Sequence, residues 1–187
     1  MNPEQYCSDF YDTVRACLKD PAHRRALEQS IALLKKTGKQ GKKTILVGNG
    51  GSSAIAEHMA IDLTKNAGLR AITISGTPTL TTFANDFGYD KVYQKGIEAF
   101  GDAGDVLIAI SSGGTSRNIL NAVAAARAKK MKVITFSGFS ADNPLRKTGD
   151  INVWVDSRAF GYVELAHNLL IHYINDAIIG KAEYMIR

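Results

Sequence analysis

Cysteine is nearly absent from this chain. Cys7 and Cys17 are its only two, both near the N-terminus and without Cys-x-x-Cys spacing. That argues against a disulfide framework and against a structural zinc site built on thiolates. Long apolar runs are also missing. No segment reaches the ~18 consecutive apolar residues that suggest a membrane span. Met1-Asn2-Pro3-Glu4-Gln5 has neither the basic nor the apolar segment of a secretory signal. A cytoplasmic location is expected. Charge is unremarkable too: 23 Lys and Arg against 18 Asp and Glu leave +5. This suits an anionic ligand but is too mild to be the footprint of a nucleic-acid binder. The paired lysines Lys35-Lys36 and Lys42-Lys43 read as a solvated face.

What remains is ordinary globular composition. The chain has 187 residues, 45% hydrophobic and 22% charged, enough for a single domain over 1–187 with a substantial core. Pro3 opens a stretch in which Tyr6, Phe10, Val14 and Leu18 recur every four residues, which predicts an amphipathic helix to about Lys19. Asp20-Pro21 supplies a cap and a first-turn proline for a second helix to about Lys36. Gly38 to Gly41 are expected to form a loop. Residues 1–37 are therefore two helices, packing either on the core of this chain or on a neighbouring subunit.

From Lys43 the pattern becomes an alternation of strands and helices. The strands expected are Thr44–Val47, Ala71–Ile74, Val106–Ile110, Lys132–Phe136 and Ile151–Val155. The helices are Ser52–Lys65, Asp90–Phe100, Ser116–Lys130 and Tyr162–Ala182. Repeated βα units predict an α/β fold: a three-layer αβα sandwich with a flavodoxin-like, five-stranded parallel sheet.

Two loops carry the functional signal. Gly48-Asn49-Gly50-Gly51-Ser52-Ser53 follows the first strand, and Ser111-Ser112-Gly113-Gly114-Thr115-Ser116 follows the third. A strand, a glycine-rich turn and a helix let backbone N–H groups and the helix dipole approach an anion. Serine and threonine hydroxyls add donors. Two such loops in one domain point to a sugar phosphate or similar anion held between them, without a nucleotide cofactor. The first loop lacks the Gly-Lys-Ser/Thr of a P-loop. It has Ser53 where a dinucleotide fingerprint has its third glycine, and no acidic residue ends the next strand. Ser52 is not in a Gly-x-Ser-x-Gly elbow.

Titratable groups gather on two of the predicted helices. His58 and Asp62, four apart, share one helical face. Glu164 and His172, eight apart, share roughly one side of the last helix. A histidine on an apolar helix is commonly a hydrogen-bonded structural residue, which is the expectation for His167. The same four groups are otherwise acid–base residues, or a divalent-metal set of His58, Asp62, Glu164 and His172.

Four segments together resemble the sugar isomerase (SIS) domain family: Val47 to Ser52, Ala84 to Asp90, Gly104 to Ser111 and Met131 to Thr135. Within that family the chain is most similar to the phosphoheptose isomerases, over nearly its whole length. The resemblance implies a cytoplasmic homotetramer with active sites at subunit boundaries. The implied reaction interconverts sedoheptulose 7-phosphate and a glycero-manno-heptose 7-phosphate for bacterial lipopolysaccharide or capsule biosynthesis, with zinc in some members. By position, Asp62 and His172 match the catalytic acid–base pair. Asn49, Gly50, Gly51, Ser52, Asp86, Ser111, Ser112, Thr115, Ser116 and Glu164 match the substrate-binding set. His58 matches a metal-binding or polar histidine of the site.

Four positions depart from the pattern. Asp62 replaces glutamate, Glu164 replaces glutamine, Gly113 replaces a phosphate-binding serine, and Gly161 replaces an aspartate. The alternative is a non-catalytic SIS module that senses a phosphosugar or associates with a replication initiator. Such modules lack the acidic residue and the last-helix histidine that Asp62 and His172 supply here.

Overall fold

The valine- and isoleucine-rich segments become five parallel strands, as their near-continuous apolar character requires when both faces are covered. The computed structural model describes residues 2–183. In chain order its elements are α1 (Pro3–Lys19), α2 (Pro21–Lys39), β1 (Lys43–Gly48), α3 (Gly51–Lys65), β2 (Arg70–Thr73) and α4 (Thr77–Phe87). A short 3₁₀ turn at Tyr89–Lys91 leads into α5 (Val92–Phe100). The remainder is β3 (Val106–Ser111), α6 (Arg117–Ala128), β4 (Lys132–Ser137), β5 (Ile151–Trp154) and α7 (Phe160–Ile179). The sheet order is β2-β1-β3-β4-β5, all parallel.

Alternation along each strand sends side chains to two separate cores. Leu46, Ile108, Ile134 and Phe136 pack under α2, α3 and α7 with Leu34, Met59, Leu63 and Leu170. Ile45, Val47, Leu107, Ala109 and Val133 pack under α5 and α6 with Tyr93, Ile97, Ile119 and Ala126. Full burial of each such aliphatic or aromatic side chain stabilises by about 1.5–3 kcal/mol. A third cluster sets Val14 and Cys17 of α1 against Val155, Val163 and Ala166. The leading helices therefore cover their own chain's core. His23 ties the start of α2 to Asp20 Oδ2 at 3.1 Å and to the Trp154 carbonyl.

The amino ends of β1 and β3 are clamped together. Buried Asp105 accepts from the Lys43 N–H at 3.0 Å and from the Asp102 N–H at 2.9 Å, with Lys43 Nζ at 2.6 Å. Their carboxyl ends, Gly48 and Ser111, open into the two glycine loops. Between β1 and β3 the strand order reverses direction, the place where open α/β sheets bind ligands.

Several boundaries differ from the sequence expectation. Helix α4 lies where no helix was expected, because its Thr77-Pro78-Thr79 start reads locally as a turn. Helix α2 runs through Gly38 to Lys39 instead of stopping near Lys36. Gly38 is packing surface there: a Cβ would stand 2.3 Å from Leu69 Cδ2. Helix α6 ends at Ala128, with Lys130 at φ 59°. Helix α7 ends at Ile179, before Ala182, where Gly180 at φ 96° provides a left-handed cap.

Candidate functional site

Both loops start where a buried strand runs out and a helix begins. The geometry leaves each helix start open. Asn2 and Asp20 cap α1 and α2 with side-chain oxygens. Gly50 and Ser116, at the caps of α3 and α6, make no such bond. Neither cap residue therefore engages a first-turn N–H of α3 or α6 with its side chain, and the dipoles of both helices favour an anion. Gly50 sits at φ 52° and Gly114 at φ 66°. At Gly114 a Cβ would also fall 2.1 Å from Asn143 Oδ1, so glycine is required twice over.

The two loops line one cleft of about 600 Å³ with Asn49, Ser52, Ser111, Ser112, Thr115 and Ser116 on its walls. Phe139, Phe160, Asp142, Asn143 and Glu164 also line it. None of the cleft's lining residues is cationic. An anion there relies on hydroxyls, amides and helix N-termini. Ser111 and Ser116 hydroxyls stand 3.2 Å apart across the loop. Ser112 lines the cleft, but its hydroxyl is enclosed and has no hydrogen-bond partner. Asn143 braces the 138–146 segment internally, its Nδ2 donating to the carbonyls of Gly138 and Ser140. The segment is tied to the second loop by the Leu145 N–H, which donates to the Gly114 carbonyl at 3.0 Å.

The first loop is held equally firmly. The Tyr93 hydroxyl donates to the Gly48 carbonyl. Burial pushes that phenol up to about 12, so it remains a neutral donor. Asn49 pairs with Asn118 of α6, a residue that sequence reasoning passed over as ordinary helix surface.

A second cluster lies farther along α3, where it faces α7. Asp62 Oδ2 stands 3.5 Å from His58 Nε2 and 3.6 Å from His172 Nδ1. The two imidazoles meet edge to face, with ring centroids 4.9 Å apart. Asn66 Nδ2 donates to the other oxygen, Asp62 Oδ1, at 3.1 Å. One donor atom from each of His58, Asp62 and His172 lies within 4.8 Å of the others. Two imidazoles and a carboxylate converging this closely fit a zinc-like divalent ion, with positions left over for other ligands.

Two of the expected site residues, Glu164 and Asp86, sit elsewhere, while His167 is structural as expected. Glu164 does not join the histidines as a metal ligand. It precedes His172 by eight residues, about 12 Å along the helix axis. Its carboxylate lies against Gly51 at the start of α3, where a Cβ would be 2.9 Å away. Asp86 is exposed on the last turn of α4, accepting from Asn85 Nδ2 at 2.8 Å, and does not line the cleft. His167 is fully buried. Its Nε2 faces the Ser137 carbonyl at 3.1 Å, and desolvation holds its pKa down to about 4. It is a neutral core residue. Gly113 has room for a side chain, the nearest atoms to a Cβ being 3.7 Å away. At Gly161 a Cβ would stand 2.5 Å from the Tyr6 hydroxyl, so a side chain there requires Tyr6 to shift.

Known proteins similar to this chain include several phosphoheptose isomerases. Residues 5–138 match the SIS domain family. The phosphoheptose isomerase of Thiobacillus denitrificans is 39% identical over 160 residues, 81% of either chain. That of Salmonella paratyphi B is 38% identical over 169 residues, 88% of this chain and 86% of the relative. Among solved structures, phosphoheptose isomerase GmhA from Neisseria gonorrhoeae superposes with a TM-score of 0.81 at 32% identity, covering 94% of this chain and 97% of that one. A phosphoheptose isomerase from Francisella tularensis gives 0.83 at 28%, covering 95% and 98%.

Proposed function

Since the chain belongs to the SIS domain family and matches its phosphoheptose isomerases over most of its length, we propose that it is an aldose–ketose isomerase converting sedoheptulose 7-phosphate to D-glycero-D-manno-heptose 7-phosphate. The observation that carries the catalytic reading is Asp62, held between His58 and His172 on the helix that starts at the first glycine loop. A module that only binds a phosphosugar has no use for that convergence.

The phosphate sits in the cleft of Ser111, Thr115 and Ser116 at the start of α6. Asn49, Ser52 and Glu164 face the sugar hydroxyls. Asp62 and His172 are the proton-transfer pair. One takes a proton from C1 of the open-chain ketose, and the electron pair moves through a cis-enediol into the former carbonyl. A proton returns to C2 while a hydroxyl proton passes from O1 to O2, leaving an aldehyde at C1. Mass and charge balance without an external reductant. A histidine ring nitrogen can both take and give a proton, so His172 serves in either direction. His58, Asp62 and His172 are the residues that would hold a divalent metal such as zinc, whose charge stabilises an enediolate.

Within one chain Asp62 and His172 do not line the phosphate cleft. This supports a site completed at a subunit boundary in a homotetramer. The apolar groove of Phe10, Leu165, Leu169 and Tyr173 beside His172 supplies a surface for it. The reaction belongs to the cytoplasmic supply of heptose for surface polysaccharide. The testing experiment follows proton exchange at C1 and C2 of sedoheptulose 7-phosphate by NMR in deuterated buffer. Exchange at the uncatalysed rate, with phosphosugar still bound, would leave a binding module.

A further inference from the structure

Asn49 of the first loop and Asn118 of α6, 69 residues apart, pair amide to amide. Asn49 Nδ2 donates to Asn118 Oδ1 at 2.9 Å, and Asn118 Nδ2 donates to Asn49 Oδ1 at 2.9 Å. The direction of each amide follows from a backbone group. The Ile119 N–H meets Asn118 at 3.0 Å and can only donate, so the atom it meets is the carbonyl oxygen. Asn118 then has its NH₂ free to meet Asn49, and Asn49 must present oxygen to it. The Tyr89 hydroxyl donates to that same oxygen at 3.0 Å. Both oxygens are thus doubly engaged. Each NH₂ has spent one of its two hydrogens.

Asn49 lines the cleft, while Asn118 is buried behind it, 3% exposed. The second N–H of Asn49 is the one group of this network left for a ligand. A freely rotating asparagine would present oxygen or nitrogen to the cleft with comparable ease. This one presents a donor. Asn121 Nδ2 reinforces the frame by donating to the Asp90 carbonyl at 2.8 Å, which ties α6 to the turn carrying Tyr89.

We infer that Asn118 and Tyr89 are positioning residues that lock Asn49 as a hydrogen-bond donor to an oxygen of the sugar, separate from the serines that hold its phosphate. This rests on the phosphosugar reading of the cleft and adds the specificity that the reading lacks. The sugar end must offer an acceptor, a hydroxyl or carbonyl oxygen, at Asn49.

The test compares Tyr89→Phe and Asn118→Asp with the full chain. Asn118→Asp keeps the shape and both acceptor contacts but removes the donor that turns Asn49. Tyr89→Phe removes a hydroxyl from an exposed residue and should not disturb folding. Binding of sedoheptulose 7-phosphate is measured by calorimetry, and binding of inorganic phosphate by phosphorus NMR. Loss of one neutral hydrogen bond corresponds to roughly 3- to 10-fold. Tyr89→Phe should weaken sugar phosphate by about that factor, and Asn118→Asp by more, with inorganic phosphate unchanged in Tyr89→Phe. Unchanged affinity for both ligands in Tyr89→Phe and Asn118→Asp would overturn the inference. So would an equal loss for both ligands in Tyr89→Phe, which would make the network a support of the whole cleft. Because neither measurement needs turnover, a wild-type chain without isomerase activity would refute the catalytic proposal and leave this one standing.

Discussion

Asp62 of α3 and His172 of α7 meet across two helices, Oδ2 to Nδ1 at 3.6 Å, although 110 positions separate them in the chain. The carboxylate side chain is 14% exposed and the imidazole 41%. The pair is therefore sheltered on the protein side and open on the other. Asn66 and His58 hold the carboxylate from either flank. An acid–base pair needs this combination of fixed orientation and an open approach for substrate.

Removing either member should strike the chemical step. Asp62→Asn and His172→Gln are expected to lower kcat by ~10²–10⁴-fold with a smaller change in KM. Steady-state kinetics with circular dichroism as a folding control checks this. Asp62→Glu restores the residue of the resembling enzymes and should retain or raise activity.

The serines should separate by their environment. Ser116→Ala removes a cleft hydroxyl and should weaken sugar-phosphate binding by ~1.5–3 kcal/mol, the worth of a hydrogen bond to a charged group. Ser112→Ala removes an enclosed hydroxyl that has no partner. It should stabilise the ligand-free chain by about 1 kcal/mol and leave affinity nearly unchanged. Calorimetry and urea unfolding of the two variants distinguish these outcomes.

Metal binding should follow the cluster and not the sequence set of four. His58→Ala and His172→Ala are expected to reduce bound zinc after equilibration, measured by elemental analysis. Glu164→Gln should not, because its carboxylate lies at Gly51. Equal loss from all three variants would place Glu164 back among the ligands.

Assembly should depend on the outer face of α7. Leu165, Leu169 and Tyr173 are 45%, 39% and 48% exposed, more than large apolar side chains usually are on one helix. Light scattering is expected to give a tetramer, and Leu169→Glu a smaller species with lost turnover. A wild-type monomer that stays active at nanomolar concentration would rule out a site shared between subunits.

Stability should fall on mild acidification through His167. Its folded pKa is about 4 against an ordinary 6.5, because burial penalises the charged ring. Below 6.5 the unfolded chain takes up a proton that the folded chain refuses. The stabilisation is therefore full above 6.5, declines as pH falls, and levels off near 4, a loss of up to about 3 kcal/mol. Urea unfolding at pH 7 and pH 4.5 should show a smaller decline in His167→Gln than in the wild type.

The βα alternation was legible because strand patterns are local. Runs such as Val106–Ile110 are buried on both faces and show it in their own residues, and all five expected strands are present within a residue or two. The glycine loops were legible for the same reason, since the turn into each helix demands residues that are visible in place. Helix α4 was not, because Thr77-Pro78-Thr79 satisfies the grammar of a turn equally well. Asn118 was hidden for a different reason: nothing in Arg117-Asn118-Ile119 reveals that a partner loop waits for its amide.

By itself the sequence determined the layers, the strand set, the placement of both anion loops at strand ends and the candidate acid–base residues. Each of these depends on periodicity or on a motif a few residues long. Only the tertiary structure decided that His172 joins Asp62 and His58 while Glu164 stays at the cleft. Helices α3 and α7 pack on one face of the sheet, and their relative register is set by how Met59, Leu63, Leu170 and Ile174 interlock in that core. Two residues eight apart share a helical side, but about 12 Å of axial rise lets only one of them reach Asp62.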